Sequence, residues 1–496
     1  MNRVSDHVIR IDSSVDVKYY DYPNGSCVIV MPDRANWIKT SSSGRWVFES
    51  LLHSPRTLGA LVADAAERYR LPEVAVRSSI RTLVDELHAN GLAAFGDQAF
   101  LKTTGPVNLN DHSLRELWLN ITGRCNLRCD HCFAQTERSY APDMATALAC
   151  AIIDQAADIG VGHLVLSGGE PTLHEDLAAI VQHARRKDNL KIKLVTNGTR
   201  SDASWWDQIL PHLDDLQISV DGASERTNDA IRGKGVFAAV RALFKHVHEG
   251  YPQLVRGISF TPLRANLADM RYLDRLAHHL DASYIHLNRP KIAARGLTAI
   301  ARLRGLTDED RLYLDALAGF DQLADQIAMD AEKSIGVDRK SEPVLDRSFD
   351  PGLQILNPFK VSRCAAGTLN ICVDNDGSCF PCAALIDPAF SFGRVDREPL
   401  VAICQRMRLE MEQSFDVETD EECCACDFRH FCGGGCRATA GNLAARDPAC
   451  EHLKARFERI LGRINIPKKT VQRSVDIAGP DVGWDRCACV LRRRCD

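Results

Sequence analysis

No run of the 496 residues approaches the roughly 18 apolar positions that a membrane-crossing helix needs. The first residues, MNRVSDHVIRIDSS, hold no apolar core of the kind that directs secretion. A basic excess is missing too: 61 Lys and Arg stand against 66 Asp and Glu, a net charge of −5. Neither a nucleic-acid surface nor a polybasic membrane anchor is therefore expected. Internal repeats and low-complexity tracts are lacking. With 45% hydrophobic and 26% charged residues, the composition is that of a folded chain and not of a disordered one. The expectation is a cytoplasmic protein without nucleic-acid or membrane partners. At roughly 100–200 residues per domain, it holds about three folded units.

Cysteine is abundant, with 19 residues. A long chain without an export signal keeps its thiols reduced, so these are core residues or metal ligands. Cys27, Cys150 and Cys404 stand alone and read as small buried hydrophobes. The others cluster at 125–132, 364–382, 423–450 and 487–495, and clustering favours metal.

Five segments emerge along the chain. Residues 15–100 read as a winged-helix-like α+β module. VDVKYYDY, SCVIVMP and NWIKT have the β-branched and aromatic content of strands. Thr57 is placed to cap a helix carrying Leu58, Leu61 and Val62; Val76, Ile80, Leu83 and Leu87 mark another, ended by Gly91. Residues 112–295 alternate strand and helix. The strands are LWLNIT, HLVLSGG, KIKLVTNG, LQISVDG, GISFTPL and YIHLNRP, so the fold class is α/β, a partial (β/α)6 TIM-like barrel. Chemistry in such folds sits at the carboxyl ends of the strands. Residues 296–363 read as a helical bridge. Residues 364–455 form a Cys-rich domain with little to build a core from, a place for metal to do the holding. Residues 465–496 read as a loosely packed tail.

Cys125, Cys129 and Cys132 form CNLRCDHC, directly after the first barrel strand. Three thiolates in one loop can wrap one face of an iron–sulfur cubane, which ordinarily takes four, and leave one iron open. The same spacing suits a structural zinc site completed by His131, or buried thiols. The loop resembles that of the radical S-adenosylmethionine (radical SAM) superfamily, and Ser167-Gly168-Gly169-Glu170-Pro171 after the next strand resembles its GGE motif. The resemblance implies that the [4Fe–4S] cluster on Cys125, Cys129 and Cys132 chelates S-adenosylmethionine, whose ammonium Gly168, Gly169 and Glu170 would hold. Asn197, Ser219, Asp221 and Arg232 would contact its ribose and carboxylate; arginine suits a carboxylate.

Cys364, Gly377 and Cys382, then Cys423-x2-Cys426-x5-Cys432-x3-Cys436 and finally Cys450, resemble the SPASM extension of radical SAM peptide maturases. Carried over, Cys423, Cys426, Cys432 and Cys450 bind one auxiliary iron–sulfur cluster, of [4Fe–4S] type. Cys364, Cys382 and Cys436 bind another, with Cys372 or Cys379 as fourth ligand, or none. Zinc is the alternative for such CxxC pairs. Cys424 reads as a bystander, and Cys487, Cys489 and Cys495 have no assigned role. CVIVMPDRANWIKTSSSGRWVFESL and the helices ending in LVDELHANGL resemble the peptide-recognition element of maturases of ribosomally made peptides, akin to the chaperone of pyrroloquinoline quinone synthesis. In that family a leader peptide adds a strand to the three-stranded sheet, beside the last helix.

The resemblance implies a radical SAM/SPASM oxidoreductase. A 5′-deoxyadenosyl radical would take hydrogen from a precursor peptide bound through its leader. The product would be a thioether or carbon–carbon crosslink, with a flavodoxin- or ferredoxin-type reductant as electron source. The alternatives are oxidation of a protein residue as in sulfatase maturation, oxidation of a cofactor precursor, or a metal-binding regulator with a winged-helix module.

Overall fold

The computed structural model describes residues 7–12, 15–22, 25–32, 36–100, 107–108, 114–129, 131–132, 143–263, 265–288, 353–355, 359–448, 450–463 and 488–492. Most of the expected bridge, with Cys487 and Cys495, lies outside them.

The amino-terminal module is built from strands β1 (Val8–Ile11), β2 (Lys18–Asp21), β3 (Ser26–Met31) and β4 (Asn36–Ser41). Helix α1 (Ser42–His53), β5 (Arg56–Thr57), α2 (Leu58–Tyr69), α3 (Glu73–Ala89) and β6 (Ala93–Phe95) follow. Ser41 caps α1 by accepting the Gly44 amide at 3.1 Å, and Thr57 caps α2 by accepting that of Ala60 at 3.2 Å. β1 pairs antiparallel with both β5 and β6, closing the module with its own ends.

Alternation decides where the second sheet is buried, because successive side chains leave a strand on opposite faces. Cys27, Ile29, Met31 and Ile38 pack under the helices against Phe48, Leu61, Ile80 and Leu83. Val28, Val30 and Trp37 leave the other face and pack against Phe428 of the Cys-rich domain.

After β7 (Val107–Asn108), the central domain contains the six expected strands: β8 (Glu116–Thr122), β9 (His163–Gly168), β10 (Lys191–Thr196), β11 (Asp215–Ser219), β12 (Val255–Phe260) and β13 (Tyr284–Asn288). They are parallel neighbours in chain order. Helices such as α4 (Thr146–Asp158) and α5 (Leu177–Arg185) cover the outside. Leu117, Leu119 and Ile121 of β8, Leu216 and Ile218 of β11, and Ile285 and Leu287 of β13 all join the outer core. The alternate positions, including Asn120, Gln217, Ser219, Ser259 and Asn288, therefore face the inside, which is polar.

The sheet is larger than six strands. β14 (Leu353–Ile355) and β15 (Phe359–Lys360) leave it to pair with β4 and β7. β16 (Asn370–Val373) lies parallel to β8, and β17 (Cys379–Phe380) pairs with β16. At the far edge β18 (Ala488–Arg492) runs antiparallel to β13. The stretch expected to be a loose tail thus supplies a sheet strand. Among the described residues no helix is long and apolar enough to cross a membrane.

Candidate active site

Thr122 ends β8, and the chain turns at once into the cysteine loop. Cys129 is buried, while Cys125 and Cys132 are half-buried. The Cys132 amide donates to the Cys129 carbonyl at 3.1 Å, and the Leu127 amide points at the Cys125 sulfur at 3.4 Å. Burial pushes the Cys125 thiol up to about 11 and that of Cys129 upward as well, the nearby Arg232 cation pulling the latter back. Metal binding by Cys125 and Cys129 therefore displaces protons from these two thiols.

The Gly-Gly-Glu segment crosses this loop at contact distance. A Cβ on Gly168, whose φ is +138°, would stand 2.3 Å from the Thr122 carbonyl oxygen. One on Gly169 would stand 2.1 Å from that of Arg124. Backbone hydrogen bonds join the two segments: the Gly169 amide donates to Thr122 at 2.8 Å, and that of Glu170 to Arg124 at 2.7 Å. These glycines are required by the loop's own backbone before any ligand arrives.

Glu170 is 1% exposed. Its Oε1 accepts from the Thr172 amide at 3.1 Å and from the Thr172 and Thr196 hydroxyls, each at 2.7 Å; its Oε2 accepts from the Asn197 amide at 2.7 Å. Burial raises its pKa against these hydrogen bonds, which favour the charged form. The carboxylate thereby ties the end of β9 to the end of β10. The Asn197 side chain is engaged too, donating to Asn126 Oδ1 at 2.8 Å and so reaching the cysteine loop.

Asp221, just past β11, is fully buried. It accepts from the Thr261 amide at 2.7 Å; Arg232 Nε stands 2.6 Å and His131 Nε2 3.2 Å from its Oδ2. Arg232 thus stands beside a carboxylate of the protein itself. His131, weighed only as a zinc ligand, sits between Cys129 and Cys132 and fastens their loop to Asp221. Ser219 lies on β11 at an inward position opposite Ser259. Arg124 was not singled out from the sequence. Its guanidinium pairs with Asp143, Nε donating to Oδ1 at 2.9 Å, and Nη2 donates to the Leu173 carbonyl at 2.8 Å. An arginine directly ahead of the first motif cysteine was the available signal.

Cys423, Cys426, Cys432 and Cys450 line one cavity with Phe428, Leu453 and Phe457. Burial pushes Cys423 and Cys432 up to about 12. Cys424 is exposed and its thiol donates to the Glu421 carbonyl at 3.3 Å. No three His, Cys, Asp or Glu side chains among the described residues stand close enough to hold a single metal ion. Burial pushes the Cys364 thiol up, and the neighbouring Cys436 adds to that shift. Cys379 turns into the outer core, near Cys404. Cys372, one strand position from Val373, faces inward, and Asn120 Nδ2 approaches its sulfur at 3.8 Å.

The Cys-rich loop also carries the amino-terminal module. The Tyr20 hydroxyl donates to Asp427 Oδ2 and that of Tyr22 to the Glu458 carbonyl, each at 2.6 Å. Trp37 meets Phe431 edge-on at 5.8 Å between ring centroids.

Residues 119–282 match the family model of the Radical SAM superfamily, and residues 26–93 that of coenzyme PQQ synthesis protein D (PqqD). The chain is 28% identical to the Fe-coproporphyrin III synthase of Methanosarcina barkeri, over 67% of this chain and 86% of that one. It is 26% identical to the mycofactocin maturase MftC of Mycobacterium tuberculosis, over 66% and 81%. The PqqA peptide cyclase of Ruegeria pomeroyi is 27% identical, over 66% and 86%. Among solved structures, Streptococcus suis SuiB bound to precursor peptide SuiA matches in fold with a TM-score of 0.50 at 13% identity, over 89% of this chain and 100% of that one. The radical SAM domain implies S-adenosylmethionine and a [4Fe–4S] cluster as cofactors. The chain thus carries a radical SAM domain over residues 119–282 and, ahead of it, a PqqD domain over residues 26–93.

Proposed function

We propose that this protein is a peptide maturase: it binds a ribosomally made precursor peptide through the PqqD domain and oxidises it inside the barrel, installing a crosslink. One observation carries the reading. A radical SAM domain and a PqqD domain occur in one chain, and the PqqD sheet is packed directly on the Cys-rich domain through Trp37, Tyr20 and Tyr22. The similarity to a mycofactocin maturase and a PqqA peptide cyclase supports a peptide substrate.

Cys125, Cys129 and Cys132 would hold the [4Fe–4S] cluster, which with S-adenosylmethionine supplies a 5′-deoxyadenosyl radical able to take an unactivated hydrogen. Gly168 and Gly169 keep the cysteine loop against the end of β9. Glu170 and Asn197 fix the neighbouring strand ends, leaving the Gly-Gly-Glu backbone and the inward Ser219 as the groups to face the cofactor. Asp221, Arg232 and His131 hold the loop from the other side. The polar interior orients the substrate and excludes bulk water. Cys423, Cys426, Cys432 and Cys450 would hold one auxiliary cluster; Cys364, Cys382, Cys436 and the inward Cys372 would hold the other and accept the substrate's remaining electron. A flavodoxin- or ferredoxin-type protein is the reductant, and the cytoplasm the setting. Arg77 and Arg81 on α3 lie 3.2 and 3.6 Å from Glu73 and Asp85, which leaves the helix without a cationic face for DNA.

Co-expression with a candidate precursor peptide tests the reading. A loss of two hydrogens per crosslink by mass spectrometry is expected. A second reading, oxidation of a cofactor precursor, is favoured by the likeness to Fe-coproporphyrin III synthase; an unchanged peptide with turnover of a tetrapyrrole would establish it.

A further inference from the structure

The sheet of β2, β3 and β4 has both faces covered. The helices of its own module close one, and Phe428 with its neighbours closes the other. A peptide that pairs with this sheet can do so only at an edge, and the two edges differ. β2 is four residues long, begins with exposed Lys18 and ends with exposed Asp21, the charged ends that blunt an edge against further pairing. β4 is six residues long, but its outer edge is already taken. β14 lies there antiparallel, with Leu353 opposite Thr40, Gln354 opposite Lys39 and Ile355 opposite Ile38. Its three residues cover only half of β4.

We infer that Leu353–Ile355 is a placeholder strand, occupying the β4 edge that a precursor peptide's leader takes by displacing it. This rests on the leader-binding reading above. Pairing over three residues scarcely exceeds the entropy lost in ordering them. β14 holds its place because it belongs to the same chain, which gives it a high effective concentration at the edge. A leader strand running the full length of β4 makes more pairs and wins. Until then the edge is closed, which protects a sheet edge from non-specific pairing. The leader's apparent affinity falls in proportion to the fraction of open edge.

The test uses the full chain with Leu353→Pro, Gln354→Pro and Ile355→Pro together. Proline has no N–H to give the ladder. The control carries alanines at the same positions and keeps its donors. The probe is a labelled synthetic peptide, FDPGLQILNP, spanning residues 349–358. It is expected to bind the proline variant at least about tenfold more tightly than the native or alanine chain, the factor set by an edge closed some nine-tenths of the time. Equal affinity for all three chains, or for none, overturns the placeholder. Hydrogen exchange with the candidate precursor peptide then locates the leader. Faster exchange at 353–355 with 36–41 still protected is the expected result. New protection at 18–21 with 353–355 unchanged overturns displacement alone. A precursor that binds neither the native nor the proline chain overturns the leader-binding reading, and displacement with it.

Discussion

Gly169→Ala should dismantle the cysteine loop without touching a cysteine. The new Cβ would stand 2.1 Å from the Arg124 carbonyl oxygen, where real contacts keep at least 3.0 Å, so backbone must move by 0.9 Å. Nothing flexible is available to yield, because the obstacle is main chain on the strand-to-loop turn that carries Cys125. Overpacking of this kind costs about 1–3 kcal/mol. The Gly169–Thr122 and Glu170–Arg124 hydrogen bonds are strained in addition, at roughly 1 kcal/mol each. A displacement near 1 Å at a reacting centre lowers rate on the order of 100-fold. Iron and sulfide per chain after anaerobic reconstitution, with 5′-deoxyadenosine formation, are the assays. Iron should fall by about the four atoms of one cubane, and nucleoside formation by about two orders of magnitude. Gly162→Ala is the control, since its added Cβ would meet nothing within 4 Å. If Gly169→Ala keeps full iron and full activity, the close crossing of the two segments does not hold the site together.

Three further outcomes follow from the same contacts. Asp221→Asn leaves the buried Arg232 guanidinium without its counter-ion, which should cost about 3–5 kcal/mol; it is read as a lowered unfolding temperature together with an altered electron paramagnetic resonance spectrum of the reduced loop cluster. Trp37→Ala removes a fully buried side chain from the contact with Phe431, at about 3–5 kcal/mol, and should speed proteolytic release of the module while leaving 5′-deoxyadenosine formation from S-adenosylmethionine intact. Cys379→Ala should keep native iron content, its thiol lying in the outer core, whereas Cys372→Ala should lower iron or change the auxiliary spectrum; the reverse pattern would move the fourth ligand to Cys379.

Strand positions were legible because each barrel strand is a short apolar run ended by turn chemistry, and LWLNIT through YIHLNRP became β8 to β13. The caps were legible for the same local reason, as at Thr57. β1 escaped notice because Val8–Ile11 is short and gains its stability from pairing with residues more than forty positions away. β14 and β18 are likewise tertiary decisions made by open edges. At the site, residue type was readable and partner was not. Arg232 does meet a carboxylate, but that of Asp221; Glu170 does meet donors, but those of Thr172, Thr196 and Asn197. Spacing reveals that a charge needs a counterpart, whereas only the folded backbone decides which one comes within reach.

Whether this protein is a radical enzyme at all is decided by one measurement. The chain, purified and iron-loaded without air, is reduced with dithionite and given S-adenosylmethionine, and 5′-deoxyadenosine is quantified beside the variant in which Cys125, Cys129 and Cys132 are alanine. Nucleoside from the native chain and none from the variant is the result predicted. No nucleoside from a fully loaded, reduced native chain, or equal amounts from both, would contradict it.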